Sequence, residues 1–215
     1  MASARWYDDP CGTARALDLI GERWALLAVR ELLFGPKRFG QLRDGLRGVS
    51  PNVLSQRLRG LEEAGIVRRD RLDPPAGVLV YELTERGRAL EPVLIELGRW
   101  GSREPITSSQ ELSFDALLLA LKTTFAPASA HDAVYALCVA GEWARVAIAA
   151  GTIDVRRGRA DDAQVTLETD VATLRAVAFG RESIADAERA GRLAVRGDRR
   201  VAQRFPRLFV VPSPR

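Results

Sequence analysis

Residues 50–65 read SPNVLSQRLRGLEEAG, and the fold is decided there. Ser50 is a good helix N-cap, and Pro51 suits the first helical position, where a missing N–H costs nothing. Gly65 is placed to end the helix in a left-handed turn. Leu54, Leu58 and Leu61 recur at i, i+4, i+7 and predict a core stripe. Asn52, Ser55, Gln56 and Arg59 share the other side, and no carboxylate appears before Glu62 and Glu63 in the last turn. A merely solvated helix would mix acids and bases throughout. This outer face is expected to meet something anionic.

Phe39, Leu42 and Leu46 predict a helix over residues 39–46, and Arg47-Gly48-Val49 makes a tight connection into the quoted stretch. Two helices joined through a glycine-containing turn, the second with a polar outer face, form the helix-turn-helix pattern. Upstream, residues 14–20 give a short helix broken by Gly21. ERWALLAVRELLF (22–34) predicts a second, heavily buried one through Trp24, Leu26, Leu27, Val29 and Leu32, closed by Gly35-Pro36.

Downstream, residues 66–71 and 78–83 read as strands around the turn Asp73-Pro74-Pro75-Ala76-Gly77, which adds a wing. Arg68, Arg69 and Arg71 sit on its first strand, so the wing tip would rest on phosphates or in a minor groove. Thr84 is expected to cap one long helix to about Trp100, with Leu90, Val93, Leu94, Leu97 and Trp100 as its apolar stripe. A wing's neighbour does not need so long an amphipathic helix, whereas a dimer interface does.

The chain has 215 residues, enough for one large domain or two modest ones, and a formal net charge of +4. From Lys37 to Arg71 there are nine basic residues and four acidic ones, so the positive charge concentrates around the quoted helix. Lys37 and Lys122 are the only lysines. Arginine offers bidentate contacts to phosphate and guanine, although the same bias also follows from GC-rich codon usage. Cys11 and Cys138 alone make no disulfide framework, which fits a reducing compartment. The start, MASARWYDDPCG, has no apolar signal core, and no apolar run reaches membrane-spanning length. A soluble cytoplasmic protein with no membrane partner is expected.

Residues 10–101 resemble the HxlR-type branch of the MarR-like winged-helix regulators. The likeness is carried by Pro10-Cys11-Gly12, Gly21-Glu22-Arg23-Trp24, Gly35-Pro36-Lys37-Arg38-Phe39, the LSQRLRGLE of residues 54–62, and the YELTERG of residues 81–87. It implies a homodimer that binds a palindromic operator in double-stranded DNA and regulates transcription. One departure is that Pro74-Pro75-Ala76-Gly77 carries no basic residue, so the wing tip itself is expected to contact DNA weakly.

Residues 101–113, GSREPITSSQELS, are polar and read as a loose connection. Beyond it come a helix over 114–123 and short apolar or alternating runs at 134–139, 144–149, 153–155 and 164–167. Helices at 171–179 and 183–190, a strand at 193–195 and a last helix at 199–208 complete the order. The runs separated by Gly141, Gly151 and Gly158 predict an antiparallel meander. The tail GRLAVRGD (191–198), followed by the helix to Phe205 and Leu208-Phe209, resembles the sterol-carrier-protein-like fold, as does Thr169-Asp170 before VATL (171–174). That likeness implies a cavity for a small apolar molecule. The expected class is therefore a mainly α winged helix-turn-helix domain (1–104), a linker (105–111) and a C-terminal α+β domain with an antiparallel sheet (112–215).

For base edges the candidates are Asn52, Ser55 and Gln56, since amides pair bidentately with adenine. Arg57 and Arg59 would take phosphates or guanine, with Ser50, Arg69 and Arg71 alongside. Lys37, Arg38 and Arg43 would hold backbone at the groove's edge or stay solvated. Phe125, Tyr135, Trp143 and Phe179 would line an effector cavity, or simply form core. Cys11, ahead of a helix and one turn from Arg15, is the candidate redox residue, since both favour a thiolate. Some HxlR-type regulators sense oxidants through a cysteine at this location. Cys138 reads as a small core residue. His131, the only histidine, joins no metal-ligand array, and Asp161-Asp162 reads as a solvated hairpin. No phosphate loop or nucleophile motif appears, so no enzyme and no cofactor are expected. The function expected is a sequence-specific regulator modulated by a small apolar ligand. The alternatives are a lipid-binding sensor or carrier module, and a thiol switch through Cys11.

Overall fold

The computed structural model of the chain describes residues 7–71 and 77–210. Two compact units divide it, Met1–Leu94 and Ile95–Arg215.

In the first unit, helices α1 (Gly12–Ile20), α2 (Ala25–Leu32), α3 (Phe39–Gly45) and α4 (Pro51–Glu63) precede a hairpin of β1 (Val67–Arg71) and β2 (Leu79–Leu83). Helix α4 begins as its sequence requires: Ser50 Oγ accepts the Val53 N–H at 3.3 Å, and Pro51 stands at the first position. Leu54, Leu58 and Leu61 are buried. Gly65, at φ +65°, takes the left-handed turn that ends it. Helix α2 departs from expectation. Trp24 lies outside the helix in a left-handed conformation, so the inward face is Ala25, Ala28, Val29 and Leu32, and Leu27 is exposed.

The single long helix expected after Thr84 is broken. Thr84 caps α5 (Glu85–Arg88), and α6 (Glu91–Gly101) follows a turn. Pro92 explains the break, because it has no N–H for the Arg88 carbonyl and its ring crowds that oxygen. The turn expected at Asp73-Pro74-Pro75-Ala76 lies outside the described residues.

A buried ionic cluster holds the first unit together. Glu31 is 0 % exposed. Its Oε1 accepts from Arg30 Nη2 at 2.8 Å, and its Oε2 from Lys37 Nζ at 2.7 Å. Lys37 in turn exchanges two backbone bonds with Tyr81 of β2, at 2.9 and 2.8 Å. Helix α3 comes so close that a Cβ added at Gly45 would lie 2.2 Å from Glu31 Oε2.

In the second unit, α7 (Phe114–Thr124) is apolar on nearly every side and correspondingly buried. Strands β3 (Ala133–Val139), β4 (Glu142–Ala149), β5 (Thr152–Arg157), β6 (Val165–Thr169) and β7 (Leu193–Gly197) form one sheet in the order β5-β4-β3-β6-β7. Three of the four pairings are antiparallel as expected, but β3 and β6 run parallel. The cause is the segment over residues 158–164. Gly158 N–H bonds the Trp143 carbonyl, Arg159 lies over the Trp143 ring, Arg145 pairs with Asp162, and Gln164 N–H reaches the Val134 carbonyl. The segment expected to be a solvated hairpin is thus a strap across one face of the sheet, which delivers β6 to the far edge of β3. Helices α8 (Val171–Ala178), α9 (Ile184–Arg189) and α10 (Arg199–Arg204) complete the unit, with a 3-10 turn at Phe205–Leu208. Asp115 of α7, also fully buried, is gripped by Arg157 of β5 at 2.7 and 2.9 Å.

Removing one partner from a buried ion pair leaves an uncompensated charge, at a cost of about 3–5 kcal/mol. Glu31→Ala is therefore expected to lower stability by that order in urea denaturation. Glu31→Gln keeps the shape but only one acceptor oxygen, and it turns an NH2 group on the other cation, so it should also lose stability, though it opens no cavity.

Candidate nucleic-acid interface

The first unit presents α4 through a turn that only its sequence permits. Leu46 and Val49 are buried on either side of Gly48, whose φ of +89° favours glycine. At the other end of α4, Arg86 Nη1 bonds the Ala64 carbonyl at 2.9 Å and Thr84 Oγ1 the Gly65 carbonyl at 2.7 Å. Gly87 lies against the Ile66 carbonyl, where a Cβ would come within 2.2 Å. The helix is thus fixed at its start by the turn and at its end by residues that follow the wing.

With the leucines inward, Asn52, Gln56 and Arg59 form an exposed stripe at i, i+4, i+7. Arg59 has no carboxylate partner among the described residues. Ser55 is half-buried beside them, and Ser50 is occupied as the cap. Val53, which sequence reasoning passed over as neither polar nor core, is 36 % exposed on the same side. An apolar group there suits a thymine methyl.

The basic residues divide into engaged and available groups. Lys37 is 8 % exposed and held by Glu31, which removes it from the edge of the outer face. Arg57 points back toward the α1–α2 connection: its side chain is 17 % exposed and lies 3.4 Å from Glu22. Its Nε is buried without a hydrogen-bond partner. Arg69 is bound by Glu62 of α4 at 2.8 Å and lies over the Tyr81 ring, while Arg68 pairs with Glu82 at 2.6 Å. Arg69 therefore ties the wing to α4. Its two partners, Glu62 and Tyr81, gave no signal in the sequence, because strand register alone brings Arg69 opposite Tyr81. Arg38, at the start of α3, and Arg71, at the end of β1, are exposed. Arg43 is exposed beside Asp44 at 3.7 Å.

Cys11 is exposed and is the N-cap of α1, its Sγ accepting the Ala14 N–H at 3.3 Å. Cys138 is buried in β3. The four aromatic residues of the second unit are not brought together. Tyr135 is fully buried and stacks edge-on against Phe205. Trp143 lies on the opposite face of the sheet, because Tyr135 pairs with Val146 and Trp143 with Cys138. Phe125 forms a bridge with Phe209, and Phe179 caps α8. A cavity of about 490 Å³ lies elsewhere, lined by residues 180–186, Val195, Ala202 and Pro206 among others. Among the described residues no helix is long and apolar enough to cross a membrane.

The model of the HxlR-like helix-turn-helix family matches residues 19–108, and that of the SCP-2 sterol transfer family matches residues 117–210. An uncharacterized HTH-type transcriptional regulator of Synechocystis sp., sll1512, is 42 % identical over 92 residues, which cover 43 % of this chain and 68 % of that protein. The reduced form of the transcriptional regulator YodB from B. subtilis is 33 % identical, with a TM-score of 0.40, over 46 % of this chain and 98 % of that one. The sec-alkylsulfatase Pisa1 from Pseudomonas sp. is 21 % identical, with a TM-score of 0.45, over 48 % of this chain but only 17 % of that one. By the first family's match and the share of the Synechocystis regulator that it covers, the chain belongs to the HxlR-like helix-turn-helix family, with an SCP-2-like domain following.

Proposed function

We propose that the protein is a sequence-specific regulator of transcription that binds a palindromic operator as a homodimer through α4. The observation that carries this reading is the exposed stripe of Asn52, Gln56 and Arg59 on a helix fixed at both ends. The amides have the geometry to pair with adenine edges, and Arg59 to hold phosphate or guanine. Arg38 and Arg43 on α3 and Arg71 on the wing are exposed and would contact the backbone, which positions the helix without reading sequence. In a two-fold dimer the half-sites would lie about 34–36 Å apart. The SCP-2-like domain would act as the effector domain, a bound small molecule favouring one dimer geometry over another. Such a protein works in the cytoplasm, where the DNA is.

Selection of duplexes from a random pool, followed by anisotropy titrations, tests the reading. Wild type is expected to enrich a palindrome. Arg59→Gln should weaken binding to every duplex and reduce the salt slope by about 1. Gln56→Ala should cost about 1–3 kcal/mol on the selected site and relax preference at one base pair. Binding with no sequence preference would defeat the proposal, and a uniform loss for Gln56→Ala would defeat the base-contact assignment.

The homodimer rests on α6. Val93, Leu97 and Trp100 recur at i, i+4, i+7 on it and are 48 %, 46 % and 67 % exposed. Large apolar groups aligned on one helix face suit a second copy of the same helix. Light scattering should give a dimer for wild type and a monomer for a Leu97→Glu, Trp100→Glu double variant. A monomeric wild type would rule the dimer out.

A second reading, a thiol switch, is favoured by the exposure of Cys11 at the end of α1. Two Cys11 thiols from two copies would form one disulfide, with two electrons and two protons passing to an oxidant such as diamide. Diamide should release DNA from wild type but not from Cys11→Ser; equal release from both eliminates the switch.

A further inference from the structure

The second unit pairs most of its arginines with carboxylates: Arg145 with Asp162, Arg157 with Asp115 and Glu142, Arg196 with Glu168, and Arg199 with Glu188. Three of those without such a partner lie together on α10 and the following turn. With Ala202, Phe205 and Leu208 buried, Arg200, Arg204 and Arg207 come to one exposed side at i, i+4, i+7. None of the three has a carboxylate partner among the described residues. Like charges at this spacing oppose helix formation, a cost that the place of Arg204 in the last turn of α10 only partly offsets.

The three arginines also line a concavity. A groove of about 500 Å³ is bounded by Asp198, Arg200, Val201, Gln203, Arg204 and Arg207, within the size range of small-molecule sites. Its one carboxylate, Asp198, serves as the helix cap, its Oδ1 accepting the backbone N–H groups of Arg200 at 2.7 Å and Val201 at 3.2 Å. The chain neighbours Arg196 and Arg199 are already neutralised by their glutamates, so the charge does not continue along the chain on the side of β7. A surface that tracks a nucleic-acid backbone would extend it instead.

We propose that this groove binds a small organic polyanion, presenting carboxylate or phosphate oxygens to the guanidinium groups of Arg200, Arg204 and Arg207. Arginine forks match both kinds of oxygen bidentately. This inference does not depend on DNA binding by α4. The fold also supplies a reporter. Tyr135 Oη donates to the carbonyl of Val201, a residue that lines the groove, at 3.1 Å, and lies 2.9 Å from His131 Nε2. Burial and then the charge of Arg204 hold His131 below its ordinary value of 6.5, while the Ser129 backbone and Asp132 act in the opposite direction. An anion seated on Arg204 removes one of the two depressing influences and moves the His131 pKa upward.

His131 is the only histidine, so its ring gives a single set of resonances in the full-length protein. Titrations with citrate and with inorganic phosphate test the proposal, against sodium chloride at equal ionic strength. Expected are a saturable shift, a higher His131 pKa in the bound state, and about tenfold or more weaker binding in the Arg204→Gln, Arg207→Gln double variant. Arg200→Gln serves if the double variant fails to fold. Arg189→Gln, outside the groove, should bind like wild type. Saturation by citrate alone assigns the site to carboxylates, and by phosphate alone to phosphoryl groups. Shifts no larger than those in chloride overturn the proposal. It is equally overturned if the variants lose duplex DNA while binding citrate as wild type does.

Discussion

A carboxylate withdrawn completely from water, that of Glu31, sets the geometry of the first unit. A buried charge is tolerated only with partners at close range, and Glu31 draws them from its surroundings in sequence and in space. Arg30 comes from its own helix and Lys37 from the next loop, and Gly45 on α3 leaves the room in which the carboxylate sits. Lys37 then fixes Tyr81 by a pair of backbone bonds, Tyr81 supports Arg69, and Arg69 grips Glu62 at the end of α4. A continuous set of contacts runs from the interior of α2 through the wing to the helix that carries the outer stripe. Orientation of that helix is therefore inherited from an ion pair it never touches.

This chain uses arginine in two ways, and burial or pairing separates them. Arg57, Arg68 and Arg69 are absorbed in the scaffold by Glu22, Glu82 and Glu62. Arg59 and Arg71, and in the second unit Arg200, Arg204 and Arg207, have no such partner among the described residues. The excess of arginine in the composition says nothing about which group a given residue joins; the position of the nearest carboxylate decides it.

Local signals were legible in the chain and long-range ones were not. Ser50, Pro51, the three leucines and Gly65 each act within a turn of their own position, and α4 could be read from them residue by residue. The fate of Lys37 was hidden because Glu31 looks like an ordinary helix acid until α3 folds over it. Arg57 looked equivalent to Arg59, although two residues along a helix point about 200° apart. Pro92 was visible, but its effect was masked by an apolar stripe that continues on both sides of it. In the second unit the strands were placed, whereas the parallel pair depends on where residues 158–164 travel, and no periodicity encodes a path.

That path has a consequence for how the second unit is made. Strands β3, β4 and β5 are neighbours in sequence and can pair as two hairpins as soon as they leave the ribosome. The free edge of β3 stays open until the strap has crossed the sheet and β6 arrives. An unpaired central edge rich in alanine, valine and leucine is the kind of template on which chains join one another, and non-local pairing is slow because loop closure precedes the contacts that reward it. Arg159 on Trp143 and Arg145 with Asp162 hold the strap along its route. In a nascent chain they would act as guides that close the β3 edge, making a polar surface segment the domain's protection against aggregation.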